Sequence, residues 1–327
     1  VVELQKEGFE VIIVDNLSNS NIDVLNGIEK ITGIRPAFEN IDCVDYVSMD
    51  RMFEKYSNIE AIIHFAASKA VGESVEKPLM YYRNNLVSLI NLLQLMPIHK
   101  IKNFVFSSSC TVYGQPDILP VTEEAPIKPA LSPYGNTKQI GEEIIRDTIH
   151  ANPCYQSIIL RYFNPIGSHA SGEIGELPNG VPNNLLPFVT QTAIGLRKQL
   201  QVFGDDYNTP DGSCIRDYIH VVDLAKAHVI AVKRLLADLP GTQVETYNLG
   251  TGRGLSVLEI IDTFEKVTGV DVPYRIVGRR EGDIEKVWAD PSYANNVLGW
   301  KASETVEETL RSAWVWEQNL AKRTKAE

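Results

Sequence analysis

Tyr134 and Lys138 lie four residues apart, just after Pro133, where a helix is expected to begin. At this spacing a phenol and an ammonium group share one face of a helix. A free tyrosine has a pKa of about 10, and a general base that works near neutral pH needs this value lowered by about three units. A nearby lysine cation acts in that direction. The pair therefore predicts a general base with its electrostatic partner, although a surface Tyr/Lys pair has the same spacing.

Three consecutive serines, Ser107–Ser109, end an apolar run upstream of this pair. Hydroxyl groups that follow a buried strand are costly to bury unless they find hydrogen-bond partners. A solvated loop would also satisfy them, but their position ahead of Tyr134 and Lys138 favours a common site. The predicted catalytic residues are Ser109, Tyr134 and Lys138.

Asp15 ends the first apolar run and is followed by a polar loop that contains Asn16, Leu17, Ser18, Asn19 and Ser20. A carboxylate in this place accepts hydroxyls of an adenosine ribose and repels a 2′-phosphate, which predicts NAD rather than NADP. Asp42 would lie by the adenine, or is a surface acid in a loop. The small residues of Phe65-Ala66-Ala67 let the backbone approach a ligand closely, or they only pack the strand.

Short apolar runs alternate with helical stretches in the first half of the chain. Strands are predicted at 11–15, 61–66, 103–107 and 157–163, and helices near 48–57, 84–96 and 136–150. This alternation predicts an α/β fold with a doubly wound, Rossmann-like parallel sheet. Cofactors bind such sheets beyond the carboxyl ends of the strands, where Asp15, Ala66, Ser107 and Phe163 lie.

The second half is less regular and predicts a smaller α/β substrate domain. Residues 165–183 predict a loop, helices are expected near 184–198, 221–238, 256–268 and 305–320, and strands at 247–250 and 274–277. His64 and His220 lie in apolar runs without metal-ligand spacing, so no metal site is expected.

The composition of the 327-residue chain is that of an ordinary globular protein with two domains. Its 31 basic and 42 acidic residues give a net charge of −11, which disfavours a nucleic-acid partner. No apolar run approaches the roughly 18 residues of a membrane helix. The four cysteines form no CxxC pair, which favours reduced thiols in a cytoplasm.

Asp15, the serine run and the Tyr134/Lys138 pair together resemble the extended short-chain dehydrogenase/reductases. Further motifs closely resemble those of UDP-glucose 4-epimerases. They are KAVGES at 69–74, Tyr-Tyr at 81–82, Asn-Asn at 84–85, LRYFNP at 160–165, NNLLP at 183–187, RDYIHV at 216–221 and RREGD at 279–283. The similarity extends from residue 1 to about residue 318.

This resemblance implies a role for each matching residue. Tyr134 would be the base, Ser109 would hydrogen-bond the sugar 4-oxygen, and Lys138 would hold the nicotinamide ribose. The residues implied to line NAD are Asp15 to Ser20, Asp42, Cys43, Phe65, Ala66, Ala67, Lys69, Asn84, Tyr134, Lys138 and Phe163. Those implied to hold a UDP-hexose are Ser109, Tyr134, Asn164, Asn184, Leu185, Gln201, Val202, Phe203, Arg216, Arg280, Asp283 and Val287.

The resemblance also implies the activity and the organisation of the chain. The expected reaction is the interconversion of UDP-galactose and UDP-glucose by transient oxidation at C4 with resident NAD. An NAD-binding domain would span 1–163 with returning segments near 215–250, and a UDP-sugar domain would span 164–327. A homodimer through the helices near 84–96 and 136–150 is expected.

Three alternatives remain at this stage. A 4,6-dehydratase would carry Asp-Glu directly after the triad serine, whereas Cys110 and Thr111 stand there. A uronate epimerase or decarboxylase would need additional cationic contacts at C6 of the sugar. A non-catalytic NAD-binding scaffold would have no need of Ser109, Tyr134 and Lys138 together.

The beginning of the sequence departs from the pattern of a dinucleotide fold. Residues 1–6 read as the end of a helix that Gly8 terminates. A strand and a glycine-rich phosphate loop normally precede such a helix, on the order of fifteen residues. The expectation is that the natural protein continues upstream and that a chain beginning at Val1 binds NAD weakly.

Val287 lies four residues after Asp283, at a position that in the resembled family faces the C2 substituent of the hexose. Epimerases restricted to UDP-glucose and UDP-galactose tend to carry tyrosine there, and those that accept N-acetylated sugars a small residue. Valine predicts a pocket that also accepts UDP-N-acetylglucosamine and UDP-N-acetylgalactosamine. Alternatively, Val287 packs beside Trp288 and a neighbouring side chain fills the space.

Overall fold

The computed structural model describes residues 1–280 and 282–324. The strands are β1 (Ile12–Val14), β2 (Ala37–Glu39), β3 (Ala61–His64), β4 (Asn103–Ser109), β5 (Gln156–Tyr162), β6 (Asn164–Ile166), β7 (Leu200–Phe203), β8 (Ile215–His220), β9 (Val244–Leu249), β10 (Gly254–Ser256), β11 (Tyr274–Val277) and β12 (Lys286–Val287). The helices are α1 (Val2–Lys6), α2 (Val24–Thr32), α3 (Tyr46–Lys55), α4 (Val71–Glu76), α5 (Pro78–Ile98), α6 (Pro133–Ala151), α7 (Leu185–Ala193), α8 (Val221–Leu236), α9 (Val257–Thr268), α10 (Ser292–Val297) and α11 (Val306–Thr324).

The central sheet is parallel, in the order β3-β4-β5-β9, and β1 pairs with β2 in a separate parallel ladder. Because both faces of β4 and β5 are covered by helices, each strand carries a continuous apolar run, Phe104–Phe106 in β4 and Ile158–Leu160 in β5. One core joins α3, α5 and α6 to the sheet, and a second core joins α8 to the sheet. The predicted Rossmann-like α/β fold is confirmed.

A third core lies among α7, α9, α11 and the strands β6, β7 and β8. Here β11 pairs with β7 in parallel, and β8 pairs with β6, β10 and β12. Strand β9 returns to the central sheet, which supports the predicted return of the chain near 215–250. The domain boundaries stay a prediction, and separate cores are what such a division requires.

Several elements of the second half were not predicted from the sequence. Strands β6, β10 and β12 have three, three and two residues, too few to show a period of two. The helix predicted at 184–198 ends at Ala193, because Gly195 with φ of 84° terminates it. No helix among the described residues is long and apolar enough to cross a membrane.

Candidate active site

Ser109 and Tyr134 are brought together at the carboxyl end of β4. Ser132 caps α6 by accepting a hydrogen bond from the backbone amide of Gly135, which places Tyr134 in the first turn. Ser109 is the last residue of β4, and its hydroxyl accepts a 3.2 Å hydrogen bond from the backbone amide of Thr111. It also lies near enough to the phenol of Tyr134 to favour the ionised form of that phenol. The two predicted catalytic hydroxyls are therefore neighbours.

Lys138 lies one turn further along α6 and is buried. Its Nζ atom donates a 2.6 Å hydrogen bond to the carbonyl oxygen of Ser107 and lies 5.9 Å from the centre of the Tyr134 ring. Burial lowers the pKa of Lys138 to about 8, and the negative charge of Glu142 opposes this effect. Near neutral pH the lysine thus keeps its proton by a narrow margin.

The protein groups alone do not lower the pKa of Tyr134. Burial raises the pKa of Tyr134 to about 12, and the nearby Ser109 hydroxyl offsets only part of this effect. Desolvation penalises the phenolate, and Lys138 lies 5.9 Å from the centre of the ring. The phenolate therefore needs a further positive charge beside it.

The predicted cofactor residues of the first strands lie on neighbouring loops. One oxygen of Asp15, Oδ1, accepts hydrogen bonds from the amide of Leu17 and the hydroxyl of Ser20, both 2.7 Å long. Leu17 adopts a positive φ of 57°, which bends the loop back over the carboxylate. Asn16 donates a 3.1 Å hydrogen bond to Asp42, so the ends of β1 and β2 share one polar surface.

The segment after β3 is held by side chains of α5, one of which also contacts α6. Asn85 accepts a hydrogen bond from the amide of Ser68 and donates hydrogen bonds to the Ser68 carbonyl and to Thr137, so it joins this segment to α6. Asn84 donates a hydrogen bond to the Ser68 hydroxyl. Among the predicted cofactor residues, Phe65 is exposed and Cys43 and Phe163 are buried.

The predicted sugar residues form a cationic cluster between β7, β8 and the loop before β12. Arg280 donates two hydrogen bonds to Asp283, of 2.7 and 3.2 Å, and lies 5.4 Å from the centre of the Phe203 ring. Arg216 lies 3.9 Å from the same carboxylate. Two guanidinium groups therefore share one carboxylate, which leaves a net positive charge for an anionic ligand. Glu281 of the RREGD motif lies outside the described residues.

Not every predicted sugar residue presents its side chain to this cluster. Val202 is buried in the third core, because the side chains along β7 alternate and Gln201 and Phe203 lie on the other face. Asn184 precedes α7 and donates a hydrogen bond to Glu176, whose carboxylate is also 3.6 Å from Lys69. Leu185 begins α7 and packs against the third core, and Asn164 pairs with Tyr218 in the β6–β8 ladder.

A small hydrophobic cluster connects the sugar residues with the catalytic strand. Val287 is 1% exposed and packs with Cys110 and Phe163 among others. Cys110 directly follows Ser109, and its pKa is raised to about 12 by burial, with Arg216 near enough to oppose the shift. The catalytic strand and the cationic cluster are therefore neighbours, since Arg216 acts on the residue that follows Ser109.

A buried hydrogen-bonded network between α6 and the central sheet was not predicted as part of the site; it consists of Ser108, Glu142 and Arg161. Glu142 follows Lys138 by one helical turn, so the spacing of Tyr134, Lys138 and Glu142 was a signal that could have revealed it. Glu176 gave no such signal, because it lies in the irregular segment before α7.

The chain matches a protein-family model described as GDP-mannose 4,6 dehydratase over residues 1–313. It is 49% identical to a UDP-glucose 4-epimerase of Dictyostelium discoideum over 97% of this chain and 91% of the relative. A crystal structure of UDP-glucose 4-epimerase from Bifidobacterium longum in complex with NAD+ and UDP matches with a TM-score of 0.93 and 48% identity, covering 97% of this chain and 93% of that one. A UDP-glucose 4-epimerase from Stenotrophomonas maltophila with bound NAD and formylated UDP-arabinopyranose matches with a TM-score of 0.94 and 46% identity, covering 98% and 94% of the two chains.

Proposed function

The chain belongs to the UDP-glucose 4-epimerase family of the extended short-chain dehydrogenase/reductases, and we propose that it interconverts UDP-galactose and UDP-glucose with resident NAD. The observation that carries the proposal is that Ser109 and Tyr134 are neighbours beside the buried Lys138, with Arg216 near Cys110 and joined to Arg280 through Asp283. A base for a hydroxyl and a cationic holder for a diphosphate are the two parts that this reaction needs.

The residues at the ends of β1 to β3 fit an adenine dinucleotide. The described hydrogen bonds of Asp15 go to its Oδ1 atom, which leaves Oδ2 for a ribose hydroxyl. Ala66 and Ala67 offer backbone without bulky side chains. Lys138 would hold the nicotinamide ribose. NAD, when bound, supplies the hydride acceptor and donor for C4 of the hexose and a positive ring near Tyr134.

The protein groups move the proton and orient the sugar. Tyr134, as phenolate, takes the proton of the sugar 4-hydroxyl, and Ser109 holds the 4-oxygen by a hydrogen bond. Arg216 and Arg280 hold the diphosphate, so the 4-ketohexose can turn about this tether and present its other face. Tyr134 then returns the proton to the 4-oxygen of the sugar, whose C4 now has the opposite configuration.

The dehydratase alternative lacks its acid-base pair in this structure. Cys110 and Thr111 take the two positions after Ser109, and the buried Cys110 thiol has a pKa raised to about 12. Neither side chain exchanges a proton readily near neutral pH. The description of the matching family model therefore does not carry over to the reaction proposed for this chain.

The substrate range of the proposed enzyme includes the N-acetylated UDP-hexoses. Val287 supports this, because it packs next to Cys110 and Phe163 and places no aromatic ring at its own position. The burial of Val287 also agrees with the alternative, in which it packs and a neighbouring side chain fills the space, and the assay of N-acetyl activity distinguishes the two. Val287 is buried and Trp288 is partly exposed over Gly254, as the alternation of strand side chains requires.

The proposed assembly is a homodimer of a cytoplasmic enzyme. Helices α5 and α6 pack on each other, and the outer side of α5 carries the exposed side chains of Leu79, Met80 and Ile90. The covering partner would be a second copy of the chain, as the family resemblance implies. The four cysteines, Cys43, Cys110, Cys154 and Cys214, are free thiols, which suits a reducing compartment.

The test is to incubate the full-length protein with UDP-galactose and to quantify UDP-glucose, with and without added NAD. Formation of UDP-glucose without net release of NADH is expected. A protein that binds UDP and NAD but converts no UDP-hexose would favour the scaffold alternative and contradict the proposal.

A further inference from the structure

A buried carboxylate lies behind the catalytic residues and has no part in the proposed reaction. Glu142 is 4% exposed, and Tyr134, Lys138 and Glu142 occupy successive turns along one side of α6. We propose that the ion pair of Glu142 and Arg161 is a positioning unit, which aligns Ser109 with Tyr134 and keeps Lys138 charged. This inference rests on the proposed epimerase function. It gives Glu142 and Arg161 a role in that reaction although neither would touch the substrate.

The carboxylate joins α6 to the serine strand. The hydroxyl of Ser108 donates a 2.6 Å hydrogen bond to Oε1 of Glu142, and the Nζ atom of Lys138 donates one to the Ser107 carbonyl, also 2.6 Å long. Two successive residues of β4 are therefore held by two successive turns of α6. Ser109 is the next residue, and its distance from Tyr134 depends on this attachment.

Arg161 extends the attachment to the neighbouring strand and to the loop after Ser109. Its Nε and Nη2 atoms donate to the two oxygens of Glu142 at 2.8 and 2.5 Å, and it is the Cα partner of Ser108 in the β4–β5 ladder. Its Nη1 atom donates to the hydroxyl of Tyr113, which donates in turn to Asn248. The guanidinium thus fixes the chain on both sides of Ser109.

Stability alone is a weak reason for this network. The free-energy cost of desolvating a buried ion pair is about as large as the gain from the attraction between its charges. Well-packed apolar residues in the same place often stabilise a fold equally well or better. The same chain holds a comparable pair far from the site: Arg234 donates two hydrogen bonds, of 2.7 and 2.9 Å, to Glu245 near the amino end of β9. That pair is a matched control for purely structural effects.

The charges around Lys138 give the proposal a specific signature. The groups that face or surround it are Tyr134 and Glu142 of α6, Arg146 of α6 beyond the carboxylate, Arg161 and Tyr162 of β5, and His64 of β3. Burial keeps His64 neutral, since its pKa is lowered to about 3. Glu142 is thus the anion near Lys138, and it opposes the loss of the lysine proton.

The test compares the Glu142→Gln variant with the parent enzyme and with Glu245→Gln. The isosteric amide removes the charge, so Lys138 should lose its proton at lower pH. We expect kcat to fall at least tenfold with KM for UDP-galactose nearly unchanged. The basic limb of the pH profile of kcat should move down by about one pH unit, the size of shift that a nearby charge produces. Glu245→Gln should destabilise the fold without moving this limb.

Two further variants separate charge from geometry. Glu142→Asp keeps the charge and should restore the basic limb while kcat stays reduced. Ser108→Ala removes one hydrogen bond to Glu142 and should lower kcat severalfold with little loss of thermal stability, which covers the case that Glu142→Gln does not fold. A parental kcat in Ser108→Ala, an unmoved basic limb in Glu142→Gln, or equal effects in Glu245→Gln would overturn the proposal. An inactive parent enzyme would instead refute the epimerase function.

Discussion

Arg216 and Val287 are direct Cα partners in the parallel pairing of β8 with β12. A guanidinium predicted to hold the diphosphate and a residue predicted to border C2 of the hexose are therefore fixed by one ladder. Arg216 is also the residue before Asp217, whose buried carboxylate accepts hydrogen bonds from the amides of Thr251, Gly252 and Ala289. The cationic cluster and the predicted sugar pocket are therefore linked by the pairing of β8 with β12.

This pairing makes Val287 the residue to change in a test of substrate range. The native protein should convert UDP-N-acetylglucosamine as well as UDP-galactose. Val287→Tyr should abolish the N-acetyl activity and keep the activity on UDP-galactose, because the ring would overlap the acetamide. Val287→Cys, a small residue, is the control and should keep both activities. Absence of N-acetyl activity in the native full-length protein would exclude the broad pocket.

Tyr134→Phe should lower kcat at least about a hundredfold, since it removes the general base. Binding of UDP should survive, because Arg216 and Arg280 lie on other elements. The measurement is the initial rate of epimerisation together with a UDP titration. Tyr274→Phe, at a side chain that is 44% exposed on β11, should leave both unchanged. Near-parental turnover in Tyr134→Phe would remove the assignment of the base.

Lys138→Met should move the acid limb of the pH–rate profile to higher pH. Burial already raises the pKa of Tyr134 to about 12, and loss of the ammonium group removes a charge that favours the phenolate. A base with a higher pKa becomes active only at higher pH. Lys102→Met, at an exposed position, is the control. An acid limb that stays in place in the Lys138 variant would refute the tuning role.

Two buried histidines should make the fold sensitive to mild acid. Burial lowers the pKa of His64 to about 3 and that of His228 to about 4, against about 6.5 in an unfolded chain. Below pH 6.5 the unfolded state therefore binds more protons than the folded state. The contribution of the neutral histidines to the free energy of unfolding is complete above this pH and is lost as the pH falls. The expected loss is up to about 1.4 kcal/mol per pH unit for each histidine.

Urea unfolding at pH 7.5, 6.0 and 5.0 measures this loss. His64→Leu should reduce the pH dependence, because one of the histidines whose pKa burial lowers is removed, and the exposed His150→Gln should not change it. A free energy of unfolding that is equal at the three pH values would contradict the prediction.

The proposed dimer can be tested on the outer side of α5. Ile90 is 37% exposed there, and Ile90→Asp should shift the protein toward a monomer because a buried unpaired carboxylate is costly. Sedimentation velocity measures the change. Ile34→Asp, at an exposed apolar position between α2 and β2, should leave the assembly unchanged. A native protein that is monomeric at micromolar concentration would disprove the dimer.

The sequence alone determined those features that depend on residues close together in the chain. The spacing of Tyr134 and Lys138 fixed their common helix face, and the apolar runs before Asp15 and Ser109 predicted the strands that end there. These features follow from local geometry, because the periods of helices and strands are set within a few residues. The same holds for the motifs that indicated the family.

Only the tertiary structure decided which distant groups share an environment. It paired Arg216 with Val287, placed Val202 in a core, and joined Glu142 to Arg161 across α6 and β5. It also decided the sign of the pKa shift of Tyr134, since desolvation depends on everything packed around the phenol. Burial and long-range pairing are properties of the whole packed chain, which no spacing along the sequence records.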